Sequence, residues 1–177
     1  MSRKVDVVVV GGGITGNAIL FQLAKYDLRC VLLEKEPDIA SGTTKSNSAI
    51  IHAGFDAKPG TMKARMNVRG NKLYHELKDE LNLDIQWKGS LVAATTDEEM
   101  DSIRDLLERG KVNGVDGLEI WSGDRVRQDE QYLSPEIQGA LWAPSAGICC
   151  PFGTAIAFAE NAELNGAEII RECEVQG

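Results

Sequence analysis

A glycine-rich hexapeptide, GGGITG at residues 11–16, limits the possible folds of this sequence more than any other segment. It follows a short β-branched run, Asp6–Val10, and opens an apolar-patterned segment, Ile14–Lys25. A buried strand, a tight turn and a helix are therefore predicted in that order. A second apolar run, Arg29–Glu34, ends in a carboxylate. Strand, turn, helix and strand within about thirty residues have the size of a parallel βαβ unit.

The glycines Gly11, Gly13 and Gly16 match the spacing of a dinucleotide-binding loop. The first permits a tight turn, the second lets the backbone approach a pyrophosphate, and the third lets the helix pack closely on the strand. Ile14 and Thr15 open the helix, whose free N–H groups and partial positive charge favour phosphate oxygens. The same glycines also fit a turn without a ligand, but their place between a strand and a helix favours a phosphate site.

An acidic residue at the end of the second predicted strand supports this interpretation. Glu34 can accept hydrogen bonds from the hydroxyls of an adenosine ribose, and Lys35 follows it. A carboxylate at this point disfavours the 2′-phosphate of NADP. The loop and Glu34 leave FAD and NAD open.

Composition argues against several other classes of protein. The chain has 177 residues and a net charge of −8, and an acidic surface repels a nucleic-acid backbone. No apolar run approaches a membrane span and no signal peptide is recognisable, so a cytoplasmic location is expected, with contact at a membrane surface left open. The four cysteines lack metal-ligand spacing, and no metal is expected.

Helices and strands are also predicted along the rest of the chain. In order, they are a helix over Thr61–Leu81, a strand over Gln86–Ala94, a helix opened by a Thr96/Glu99 capping box and closed by Gly110, a strand over Leu118–Trp121, a helical turn over Asp124–Gln131, a strand over Gln138–Trp142, a helix over Pro151–Leu164 and a strand over Glu168–Val175. The chain stops just after that strand, so it is expected to be a fragment of a longer protein.

Three further segments make the pattern more specific. Residues 40–48 are rich in Ser, Gly, Thr and Asn and lead to Ile51-His52-Ala53-Gly54, residues 58–65 are KPGTMKAR, and residues 146–151 are AGICCP. With the loop and Glu34, these segments resemble FAD-dependent oxidoreductases of the D-amino-acid oxidase and glycerol-3-phosphate dehydrogenase group. The resemblance is strongest to flavin glycerol-3-phosphate dehydrogenases and L-2-hydroxyglutarate oxidases, covers essentially the whole chain, and favours FAD over NAD.

The resemblance implies roles for residues beyond the loop. The hydroxyl-rich segment would follow the pyrophosphate and ribityl chain of FAD, where short polar side chains can satisfy several hydroxyls. His52 would lie near the flavin ring, as an orienting, tuning or covalently attached group, and Val175 on the last strand would contact the adenine. The predicted cofactor site comprises Gly11, Gly13, Ile14, Thr15, Gly16, Glu34, Lys35, Ser41, Thr43, Thr44, Ser46, Asn47, Ser48, His52 and Val175, and His52 is the candidate catalytic residue.

The expected fold is α/β, with a Rossmann-like, three-layer FAD-binding domain formed by residues 1–80 and 150–177 and the start of an α+β substrate domain in residues 81–149. The resemblance implies an FAD-dependent dehydrogenase or oxidase that transfers hydride from a small anionic hydroxy compound to the flavin. Glycerol 3-phosphate is the first choice of substrate, with L-2-hydroxyglutarate or an amino acid or amine as alternatives, and the electron acceptor is unspecified. An FAD-binding fragment without turnover and an NAD-binding domain are the other hypotheses.

Overall fold

The computed structural model describes residues 4–176, which cluster into two compact units. Unit 1 comprises Met1–Ala49, Leu77–Asp84 and Cys149–Gly177 within those limits, and unit 2 comprises Ile50–Glu76 and Ile85–Ile148. The elements in chain order are β1 (Val7–Val10), α1 (Ile14–Leu23), β2 (Cys30–Leu33), a 3-10 turn (Thr43–Lys45), β3 (Ile50–Ile51), α2 (Met62–Glu80), β4 (Ile85–Gln86), β5 (Ser90–Ala94), α3 (Asp97–Asn113), β6 (Glu119–Ser122), α4 (Gly123–Asp129), β7 (Gly139–Ala143), β8 (Gly147–Cys149), α5 (Pro151–Leu164) and β9 (Glu168–Ile170).

Unit 1 is built on a parallel three-stranded sheet in the order β1-β2-β9. Val7 of β1 pairs with Cys30 of β2, and Val31 of β2 pairs with Glu168 of β9. Parallel neighbours need a crossover connection, and α1 supplies it between β1 and β2. The predicted βαβ unit is confirmed.

The core of unit 1 lies between this sheet and helices α1 and α5. Val9, Leu20 and Ala162 belong to one buried cluster with strand β2, and Phe21 packs against Phe158 with ring centroids 5.3 Å apart. Side chains alternate along a strand, and the Val8 and Val10 side chains are 48% and 65% exposed. Within residues 4–176, helices therefore cover one face of this sheet.

Unit 2 contains two small sheets and the helices that pack on them. The strand orders are β3-β8-β4 and β5-β7-β6, with β7 antiparallel to both neighbours. Leu141 of β7 packs with Ile103 of α3, whereas the adjacent Ala140 packs with Val126 of α4. The alternation along β7 thus places α3 and α4 against opposite faces of the sheet.

Most predicted elements are present, with three corrections. The single strand predicted over residues 86–94 is split into β4 and β5, because Gly89 adopts a left-handed conformation with φ of +72°. Gly110 does not end α3: it is buried within the helix, an added Cβ would lie 2.2 Å from Leu118, and the helix ends at Gly114 with φ of +79°. The final strand stops at Ile170 rather than Val175.

The two units group residues differently from the predicted domain segments, whose bounds stay a prediction. Residues 81–84 and 149 cluster with unit 1, whereas residues 50–76 cluster with unit 2. Their bonding explains this difference. Strand β3 pairs with β8, and the side-chain amide nitrogen of Asn71 on α2 donates to the carbonyl oxygen of Ser145.

Among the helices of residues 4–176, none has the length and apolar character needed to span a bilayer.

Candidate dinucleotide-binding site

The glycine loop of unit 1 has the backbone geometry expected of a phosphate-binding turn. Gly11 adopts φ of +97°, and its N–H donates to the carbonyl of Leu33 at 2.8 Å. A Cβ on Gly16 would lie 1.9 Å from the carbonyl oxygen of Gly11, so only glycine allows α1 to start this close to the turn. The expected roles of the first and third glycines, a tight turn and close helix packing, agree with this geometry.

Thr44 lies at the N-terminus of α1. The residue before the helix, Gly13, supplies no side-chain cap, and the N–H of Ile14 donates to the Thr44 hydroxyl at 3.0 Å. Thr44 is buried, and an added Cβ on Gly13 would lie 3.3 Å from its hydroxyl oxygen. The hydroxyl-rich segment therefore reaches the glycine loop, at the helix end where anions bind favourably.

Glu34 is turned toward the glycine loop. One carboxylate oxygen accepts from the N–H of Gly12 at 2.5 Å, and the other accepts from the N–H of Glu36 at 2.9 Å. The side chain is 9% exposed, and a carboxylate can accept more than these two bonds. This placement leaves acceptor capacity beside the loop for ribose hydroxyls.

Two clefts of unit 1 meet at the loop. The first, of about 560 Å³, is lined by both ends of the hexapeptide together with Thr43, Thr44 and Asn47. The second, of about 410 Å³, is lined by Gly11, Gly13, Glu34, Lys35 and Val175 among others. Ser41, Ser46 and Ser48 line neither cleft. The structure thus brings most of the predicted cofactor-binding residues to one continuous part of unit 1.

Val175 reaches the second cleft from an irregular segment instead of a strand. Beyond β9 the backbone keeps contact with the chain after β2, because Glu172 N–H donates to the Glu36 carbonyl and Cys173 N–H to the Glu34 carbonyl. Glu172 adopts a positive φ of 53°, which breaks the regular strand. The adenine contact predicted for Val175 stays a prediction.

His52 belongs to unit 2, and its proximity to a flavin also stays a prediction. Its side chain is exposed. Its backbone carbonyl accepts a hydrogen bond from the side-chain amide nitrogen of Asn71 at 3.2 Å. It lines a small cleft of about 90 Å³ together with Lys63, Asp56 and Asn67, among other residues.

Sequence reasoning missed Asn17. This residue of α1 is completely buried, and its side-chain amide nitrogen donates to the carbonyls of Gly12 at 2.7 Å and Gly13 at 3.1 Å. A polar residue one position after the last glycine, on the face of a helix that meets a sheet, was the available signal.

The cysteines show no metal centre. Within residues 4–176 no three His, Cys, Asp or Glu side chains are grouped to hold a metal ion.

The Cys150 side chain caps the N-terminus of α5, where its sulfur accepts a hydrogen bond from Gly153 N–H. Burial raises the pKa of the neighbouring Cys149 thiol.

The comparison with protein families matches residues 6–177 to the model described as DAO, FAD dependent oxidoreductase. The chain belongs to this family of FAD-dependent oxidoreductases. Membership confirms the resemblance drawn from the sequence and the preference for FAD over NAD. The glycine loop, Glu34 and the two clefts provide a site that fits an FAD diphosphate and its ribose.

Individual members of the family are similar over nearly the whole chain. A glycerol 3-phosphate dehydrogenase of Caloramator mitchellensis is 46% identical over 170 residues, which are 96% of this chain and 35% of that protein. An L-2-hydroxyglutarate dehydrogenase of Escherichia coli K12 is 35% identical over 174 residues, covering 97% of this chain and 40% of that protein. The chain therefore spans well under half the length of these relatives.

A solved structure confirms the α/β fold. The FAD-bound L-α-glycerophosphate oxidase of Mycoplasma pneumoniae superposes with a TM-score of 0.94 and 28% identity, over 99% of this chain and 47% of that one.

Proposed function

We propose that this member of the FAD-dependent oxidoreductase family acts, alone or as part of a longer protein, in the oxidation of a small anionic hydroxy compound, with glycerol 3-phosphate as substrate. The observation that carries the proposal is the glycine loop with Glu34 beside it, which fits FAD, within a chain 46% identical to a glycerol 3-phosphate dehydrogenase. FAD, when bound, supplies the redox chemistry by accepting hydride from the carbon that bears the hydroxyl.

The residues of unit 1 would hold the cofactor. The N–H groups at the start of α1 would face the diphosphate, and Thr44 would exchange its bond with Ile14 for one with a phosphate oxygen. Glu34 would accept from the ribose hydroxyls while keeping its bonds to Gly12 and Glu36. These contacts bind and orient the cofactor without taking part in the reaction.

The substrate contacts are proposed for unit 2. His52 would touch the substrate or the flavin, where an imidazole can take up the proton of the hydroxyl being oxidised. Lys63 lines the same small cleft and would offer positive charge to an anionic substrate, although Asp56 also lines it.

L-2-hydroxyglutarate is the second candidate substrate, because dehydrogenases named for it are 33% to 38% identical in several organisms. It shares the anionic, hydroxyl-bearing chemistry of glycerol 3-phosphate. The lower identity places it second.

Visible absorption of the purified protein tests the proposal. A yellow protein whose flavin absorption is bleached by glycerol 3-phosphate without oxygen supports it, and bleaching only by L-2-hydroxyglutarate supports the second candidate. Flavin absorption that neither compound changes supports an FAD-binding segment without turnover. A colourless protein that does not take up added FAD would contradict all three.

A further inference from the structure

Asn17 presents an unusual combination of burial and hydrogen bonding. It is 0% exposed on a helix that packs against the sheet of unit 1, and no donor in residues 4–176 reaches its side-chain oxygen. A buried acceptor without a partner is destabilising. An apolar side chain of similar size would avoid that penalty, so the two bonds donated by the side-chain nitrogen of Asn17 are what explain a polar side chain here.

Those two bonds fix the direction of two peptide planes. In a trans peptide the carbonyl of one residue and the N–H of the next point in opposite directions, and residues 4–176 contain no cis peptide bond. With the carbonyls of Gly12 and Gly13 turned toward Asn17, the N–H groups of Gly13 and Ile14 must point away from it. Gly13 and Ile14 both line the larger cleft, and the Ile14 N–H already meets the Thr44 hydroxyl there.

The same carbonyls have other donors, which limits the effect expected from Asn17. The Gly12 carbonyl also accepts from the N–H of Ala40 at 2.8 Å, and the Gly13 carbonyl accepts from the N–H of Asn17 itself at 3.0 Å. Loss of the side-chain bonds should therefore loosen the orientation of the loop without unfolding unit 1.

We propose that Asn17 is a positioning residue that holds the Gly12 and Gly13 carbonyls inward and so aims the Gly13 and Ile14 amides at the diphosphate of FAD. This inference rests on the proposed FAD site. It adds to the glycine pattern a side chain that preorganises the anion-binding amides, and a loop oriented in advance binds its ligand more tightly.

The test is the dissociation constant for FAD, measured from the quenching of flavin fluorescence, in the wild-type protein and in Asn17→Asp. The substitution keeps the size of the side chain but places carboxylate oxygens against two carbonyls, so FAD binding should weaken tenfold or more near neutral pH. Asn17→Ala, which removes the donors without adding charge, should weaken binding by a smaller factor.

Asn113→Asp is the matched control. Asn113 also donates from its amide nitrogen to two carbonyls, those of Gly54 at 3.0 Å and Ala57 at 2.8 Å, but lies in unit 2. It should lower the urea midpoint of the FAD-free protein and leave the FAD dissociation constant within twofold of wild type. If Asn17→Asp does not fold, Asn17→Ala decides the question by the same measurement.

The outcomes separate this inference from the proposed function. Wild-type protein that binds FAD, together with Asn17 variants that bind it equally well, would overturn the positioning role alone. Equal weakening by Asn17→Asp and Asn113→Asp would also overturn it, because the effect would then reflect general stability. Wild-type protein without affinity for FAD would overturn both proposals.

Discussion

Gly16 shows how strongly one residue limits this loop. An added Cβ would lie 1.9 Å from the Gly11 carbonyl oxygen and 3.2 Å from the Gly11 carbonyl carbon, and both atoms are backbone that cannot rotate away. Gly16→Ala should lower the free energy of unfolding by about 1 to 3 kcal/mol, the usual range for an overpacked site. It should also abolish FAD binding, because relief of the clash requires the turn to move.

Gly70→Ala is the control for this prediction, since an added Cβ on Gly70 in helix α2 meets nothing within 4 Å. It should raise the free energy of unfolding by about 0.5 to 1 kcal/mol, because alanine loses less backbone entropy than glycine in a helix. Urea unfolding and FAD titration of both variants provide the measurement. Normal FAD affinity in Gly16→Ala would show that the close approach is not needed for binding.

At the scale of single elements, the N-terminus of helix α3 contains a hydrogen-bonded carboxylate whose contribution to the free energy of unfolding depends on pH. Hydrogen bonds from the N–H and the hydroxyl of Thr95 hold the pKa of the Glu99 carboxyl below its ordinary value. A lowered folded-state pKa stabilises the protein fully above the ordinary glutamate pKa, and this contribution is lost as the pH falls through the folded-state value. Glu99→Gln should therefore lower the urea midpoint near neutral pH and have little effect in strong acid.

Glu98→Gln removes the same charge from the same first turn of α3, where acidic side chains interact favourably with the helix dipole. It should have the smaller effect near neutral pH, since the Thr95 bonds go to Glu99. Urea midpoints of the two variants across the acid range check the prediction. Equal and parallel pH profiles would mean that the dipole alone accounts for the effect.

The elements also show what the sequence could and could not predict. The bounds of α5 were predicted correctly because Pro151 fixes its first turn and Asn165-Gly166 its end, both local signals. Gly110 was misassigned because its role is set by Leu118, a contact that no local pattern reveals. Strand β8 was missed because its pairing with β3 and β4, both distant from it in sequence, defines it.

For the candidate site, the predictable part was the loop and its acidic partner, whose spacing is dictated by the βαβ connection itself. The inward contacts of Asn17 and the bond from Ile14 to Thr44 were not predictable, since Thr44 lies thirty residues from Ile14 in sequence and only the fold brings them together. Residues along the hydroxyl-rich segment could be named as a group, but the segment's own turns decide which of them line a cleft.

At the scale of the whole molecule, the predicted dinucleotide contacts other than His52 lie in unit 1, so FAD should stabilise the chain by mass action. With free FAD at about a hundred times its dissociation constant, the free energy of unfolding should rise by about 2.7 kcal/mol. NAD at the same concentration should raise it much less, because the family to which the chain belongs depends on FAD. Trp87, Trp121 and Trp142 all lie in unit 2, so tryptophan fluorescence would follow the unfolding of that unit. Urea unfolding followed by far-ultraviolet circular dichroism includes both units, and an equal shift with NAD would contradict an FAD-selective site.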